Sequence, residues 1–118
     1  PRKFIFLLYN INFELKINNL SQEEWKKKIE SDDNSFLLDV RTIEEYQEGH
    51  IPNAKLIDIL QAEKFIESIK SLDPNKNYYV YCRSGYRSSQ ACQLMNQSGI
   101  FTTYNLLGGF MEWEEASF

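Results

Sequence analysis

Two short apolar runs, "FLLDV" at 36–40 and "YYVYC" at 78–82, do most to limit what this chain can fold into. Each is too short for a helix and is bounded by turn-forming residues, which suits a buried strand. Strands of that kind need cover on both faces, and parallel sheets obtain it from crossover helices. The rest of the sequence supplies them. In "NLSQEEWKKKIES", Ser21 with Glu24 three residues on forms a capping box, and Trp25 and Ile29 recur at helical spacing. "RTIEEYQEG" repeats the device with Thr42 and Glu45 and stops at Gly49. "LQAEKFIESIKSL" sets Leu60, Phe65, Ile69 and Leu72 near one helical face, and "YRSSQACQLMNQSG" turns Ala91, Cys92 and Met95 inward before Gly99. "HIPNAKLIDI" holds a Pro-Asn turn and another apolar run, and "FTTYNL" (101–106) reads as a further strand. "GGFMEWEEASF" reads as a Gly-Gly turn into a terminal helix, and "FELKI" (13–17) as an edge or half-buried strand. Strands alternating with helices predict βαβ units and a parallel sheet covered on both faces.

Composition narrows the function. The 118 residues fit one domain, and 42% hydrophobic with 25% charged residues is ordinary for a globular chain. A net charge of −4 argues against nucleic acid as a partner. Two cysteines cannot make a disulfide framework, and with one histidine they leave too few ligands for zinc, so no metal or cofactor is expected. Such cysteine usage suits a reducing compartment, hence a cytoplasmic location. The run Lys26 to Lys28 reads as a solvated helix face. At the N-terminus, Arg2 and Lys3 precede a short apolar stretch, Phe4 to Leu8, with no small-residue cleavage site after it. Residues 1–15 therefore read as an extension, either an extra strand or a targeting remnant that would imply export, and 16–118 as the domain. No run approaches the roughly 20 apolar residues of a membrane span. A monomer is the expected state; an exposed N-terminal strand pairing with a second chain is the alternative.

In open α/β sheets, ligands sit where strands end and helices begin, and Cys82 stands at such a place. A thiol attacks as its thiolate. The free pKa of about 8.5 leaves only a small fraction ionised at neutral pH, and helix N-termini and nearby cations lower it. The segment "CRSGYRSS" offers both. Gly85 permits the backbone angles of an anion-binding nest, and the helix starting near Tyr86 adds its positive end. Arg83 and Arg87 add charge and paired donors, and Ser84, Ser88 and Ser89 add hydroxyls. Ser88 is placed to reach the sulfur or to cap the helix. The alternative, an inert buried thiol, leaves the glycine, the two arginines and the strand-end position unexplained. Cys92, mid-helix, reads as packing against the sheet, with a resolving thiol as the weaker reading.

At this point the chain resembles a single-domain rhodanese, a sulfurtransferase of the thiosulfate sulfurtransferase type. "LLDVRTIEEYQEGHIPNA" (37–54) resembles the family's first signature, "YVYCRSGYRSSQACQLMNQSGI" (79–100) its active-site loop and following helix, and "LLGGFMEW" (106–113) its closing motif. The resemblance implies a three-layer α/β/α fold with a central, mostly parallel sheet of about five strands and helices on both faces. It implies Cys82 as the catalytic residue, carrying sulfur as a persulfide, and Arg83, Ser84, Gly85, Tyr86, Arg87 and Ser88 as the substrate-binding loop. Asp39, Arg41 and His50 become structural supports: His50 ties its loop to nearby backbone or to Asp39, and Asp39 with Arg41 forms a brace. Trp25 and Trp113 are packing residues.

The implied partners are a small sulfur-containing anion and a thiol or cyanide acceptor, with a sulfur-relay protein as a further one. Arg87 lies five positions after Cys82, whereas Cys-dependent phosphatases carry arginine at six, where this chain has Ser88. The shorter loop speaks against phosphate or arsenate chemistry. A non-enzymatic binding or persulfide-sensing module is the competing function. Ile43 and Asn53 replace a proline and a glycine usual in the family, at turn positions remote from the thiol.

Overall fold

The computed structural model describes residues 17–116. In chain order these form β1 (Asn18–Leu20), α1 (Gln22–Glu30), β2 (Ser35–Asp39), α2 (Ile43–Glu48), β3 (Lys55–Leu56), α3 (Ala62–Lys70), β4 (Asn77–Tyr81), α4 (Tyr86–Gln97), β5 (Thr103–Leu106) and α5 (Gly109–Ala116). The five strands make one sheet in the order β1-β5-β4-β2-β3 with every pair parallel, so the mostly parallel sheet expected from the sequence is wholly parallel. The strand expected at 13–17 and the extension 1–15 lie outside the described residues apart from Ile17.

β4 sits mid-sheet, and its alternating side chains feed two separate cores. Tyr78, Val80 and Cys82 face one side, with Leu38 and Val40 from β2 and its end, Phe65 and Ile69 from α3, and Ala91, Cys92 and Met95 from α4. Tyr79 and Tyr81 face the other, against Trp25 of α1, Ile51, Ala54 and Leu106, with Tyr46 of α2 and Phe110 and Trp113 of α5 at the margin. Helices on both faces complete the three layers. Register holds the central strands together: Leu38 pairs with Val80 and Asp39 with Tyr81, so β2 and β4 end level.

Local signals account for the helix ends. Ser21 Oγ accepts the Glu24 N–H at 3.2 Å and donates to the Glu24 carboxylate at 2.9 Å. Thr42 and Glu45 form a full reciprocal capping box, and Gly49 follows as the C-cap. Asn53 takes φ 74°, the left-handed conformation that asparagine tolerates in place of the family's glycine. Leu60 departs from expectation. It is 65% exposed and precedes α3, because the Asp58 carboxylate accepts the Leu60 N–H at 2.8 Å and holds a turn where the periodicity suggested helix.

Trp25 organises the second core. Its ring makes edge-on contacts with Tyr79, Tyr81 and Trp113 at centroid distances of 5.7, 6.4 and 5.6 Å. Its indole N–H donates to the Tyr104 carbonyl at 3.1 Å, so its one polar atom is satisfied while the side chain is fully buried. Trp25→Ala leaves a cavity among rings that cannot collapse, and a loss of about 3–5 kcal/mol is expected from urea unfolding.

Candidate active site

Cys82 is the first residue beyond β4, and it is completely buried. Two donors meet its sulfur: the Gly85 N–H at 3.1 Å and the Ser88 hydroxyl at 3.3 Å. Ser88 thus reaches the sulfur, one of the two roles the sequence allowed. Gly85 makes the turn possible. Its φ of 104° is one that side-chain-bearing residues avoid, and it serves as the N-cap of α4 without any side-chain cap. The first amides of α4 carry no side-chain cap, and the positive end of the helix adjoins the loop.

The loop's carbonyls are drawn the opposite way. Phe110 N–H donates to the Cys82 carbonyl at 2.8 Å and Met111 N–H to the Arg83 carbonyl at 3.1 Å, so the first turn of α5 holds the outside of the loop. Gly109, at φ 62°, lets α5 come this close: a Cβ there would run into the Arg83 carbonyl and stand 2.7 Å from the Cys82 oxygen. The Gly85 carbonyl accepts the Ser89 N–H and the Asn105 side-chain amide, each at 3.2 Å.

The other loop residues divide. Arg83, Ser84 and Tyr86 are exposed. Arg87 instead turns to α2, where its two terminal nitrogens meet the two carboxylate oxygens of Glu45 at 2.7 and 2.9 Å. That bond, opposed by burial and aided by Thr42, lowers the Glu45 carboxyl from its usual 4.5 to about 2. The expected supports form a separate network. Arg41 grips Asp39 through Nε and Nη2, donates from Nη2 to the Gly49 carbonyl at 2.7 Å, and lies 4.5 Å from the Phe110 ring centre. The His50 ring stacks on Tyr46, and its Nδ1 lies 2.8 Å from the Tyr46 carbonyl, so the bond recorded for it goes to backbone and not to Asp39. Cys92 is buried, and burial pushes its thiol up to about 12, as suits packing.

The Rhodanese-like domain model matches residues 21–116, which takes in the loop and every element just described from α1 onward. The chain belongs to the rhodanese-like domain family. The YtwF protein of Bacillus subtilis is 40% identical over 100 residues, spanning 85% of this chain and 93% of that one. A protein of Allochromatium vinosum named sulfurtransferase is 31% identical over 99 residues, covering 82% of this chain and 88% of its own. Among solved structures, a rhodanese-like domain protein from Staphylococcus aureus superposes with a TM-score of 0.71 at 31% identity, covering 82% of this chain and 91% of that one.

In this rhodanese-like domain two residues act on the loop in ways the sequence did not announce. Glu45 reads as a helix cap, and only the fold brings Arg87, 42 positions away, onto it. Asn105 is a buried polar residue inside a strand, a signal that could have singled it out; it bridges the Gly85 carbonyl and Asn19. No helix among the described residues is long and apolar enough to cross a membrane.

Gly109→Ala should lower stability by about 1–3 kcal/mol, through a forced left-handed backbone and a displaced loop carbonyl. Urea unfolding checks the loss, and faster modification of Cys82 by iodoacetamide checks the loosened loop. A second expectation concerns acid. The Glu45 carboxyl is depressed in the folded state, so its contribution is complete above about pH 4.5 and fades as pH falls towards 2. The urea midpoint should drop less steeply across that window in Glu45→Gln than in the wild type.

Proposed function

We propose that this chain is a sulfurtransferase that carries sulfane sulfur on Cys82, taken from thiosulfate or a related donor and given to a thiophilic acceptor. The observation that carries this reading is the convergence of the Gly85 N–H and the Ser88 hydroxyl on one buried sulfur at a helix N-terminus. Donors fixed in place around an anionic sulfur need no rearrangement as charge moves onto it.

The cycle has two displacements. Cys82 thiolate attacks the outer sulfur of thiosulfate; a new S–S bond forms, the old one breaks, and sulfite departs with the bonding pair. The persulfide, with its negative charge on the terminal sulfur, then meets an acceptor thiolate or cyanide. That nucleophile bonds to the terminal sulfur, and the Cys82 thiolate is regenerated as the leaving group. Gly85 and Ser88 serve the sulfur in both states. Arg83, exposed on the loop, is available to the departing anion, while Arg87 is held by Glu45. Ser84 and Tyr86 line the approach. The likeness to proteins named as sulfurtransferases supports the same reading. The five-residue spacing from Cys82 to Arg87 speaks for sulfur over phosphate.

Intact mass decides it. The protein is incubated with thiosulfate, with a thiosulfonate and with an organic persulfide in turn, then with a reductant. A gain of one sulfur atom, removed by the reductant and absent in Cys82→Ser, is the expected result. No gain from any of the donors would overturn this reading and favour a non-enzymatic binding module instead.

A further inference from the structure

Of the two arginines in the loop, only one remains free of the pairing that Glu45 imposes. Arg87 spends both terminal nitrogens on that carboxylate, and the pair is only about one-fifth exposed on each side. Asp58 also lies within electrostatic reach of Arg87. Glu45 is held from its other side by Thr42, whose N–H and hydroxyl both donate to Oε1, so the carboxylate is fixed from two directions. Glu45 therefore cancels one of the two positive charges that Arg83 and Arg87 bring to the loop.

Apolar side chains also stand exposed at this end of the sheet. Tyr86, Leu107, Met111, Ile43 and Leu60 are exposed large apolar side chains. All five follow the carboxyl ends of strands, on the same end of the sheet as Cys82. Leu107 lies against Gly85, and Met111 is joined to Arg83 through its backbone. Exposed apolar groups gathered at one end of a sheet mark a binding surface more often than scattered ones do.

We propose that Glu45 is a specificity-determining residue: by holding Arg87 it sets the site for singly charged organic sulfur donors, persulfides or thiosulfonates bearing an apolar group, in preference to doubly charged inorganic thiosulfate. The inference rests on the sulfurtransferase reading and names its donor class. With a thiosulfonate, Cys82 thiolate bonds to the terminal sulfur, the bond from that sulfur to the sulfonyl sulfur breaks, and a sulfinate leaves with the electron pair. One negative charge enters and one leaves, which suits a loop in which one of two arginines is already neutralised by a carboxylate. The apolar group of the donor rests on the rim.

Donor kinetics with cyanide as acceptor test this, using thiosulfate, methanethiosulfonate and benzenethiosulfonate. The wild type is expected to show the highest kcat/KM with benzenethiosulfonate and the lowest with thiosulfate. Glu45→Gln keeps a side chain able to complete the Thr42 capping box while removing the charge. Coulomb energy is proportional to ligand charge, so the variant should gain on the order of tenfold with thiosulfate and about threefold with either thiosulfonate, mainly through KM. The wild-type comparison stands even if the variant folds poorly. A wild type that prefers thiosulfate, or a variant whose gain is equal across the donors or absent, overturns the assignment while leaving sulfur transfer intact. No turnover and no persulfide with any donor overturns the sulfurtransferase reading itself, and this assignment with it.

Discussion

Two hydrogen bonds, from Phe110 and Met111 to the carbonyls of Cys82 and Arg83, govern the rest of the site. A tight loop has as many carbonyls as amides, and a sulfur anion tolerates only the amides. Handing the carbonyls to the first turn of α5 settles the conflict and uses up N–H groups that a helix start leaves unpaired in any case. The arrangement explains why a Gly-Gly turn and a helix follow β5: α5 is the outer wall of the loop as much as it is cover for the sheet.

The two carboxylate–guanidinium pairs play different parts. Asp39 and Arg41 are almost fully buried, and desolvation of both charges is offset by a forked contact, a backbone N–H to Asp39 and the Gly49 carbonyl. Arg41 lies beneath Phe110, so this pair supports α5 and, through it, the loop. Glu45 and Arg87 sit nearer the surface and connect α2 directly to the start of α4. The loop is thus held from outside by one helix and from the side by another, by bonds of unlike kind.

Much of the architecture was legible because it rests on short-range signals. The caps at Ser21 and Thr42, the inward set Ala91, Cys92 and Met95, and the alternation that makes a parallel sheet all depend on residues within a turn or a strand of one another. The fit of Asn53 to a left-handed turn was legible for the same reason. Leu60 misled because spacing alone cannot see that Asp58 captures its N–H and delays the helix. Within the site, the meeting of Gly85 and Ser88 on Cys82 followed from the strand–loop–helix order. The engagement of Arg87 with Glu45 did not: each residue had a sufficient local explanation, as anion holder and as cap, and only long-range packing joins them. Asn105 carries a signal, a polar residue inside a strand, but not its partners, which come from β1 and from the loop.

The complete burial of Cys82 also bears on what the outside world can touch. On the proposed cycle, the transferred atom stands one sulfur–sulfur bond, about 2 Å, beyond the cysteine. The empty protein keeps its own sulfur behind the backbone of the loop. On that cycle the loaded protein would present a different atom, and an acceptor would need to reach that atom alone. The difference between charged and discharged carrier would then be one of reach.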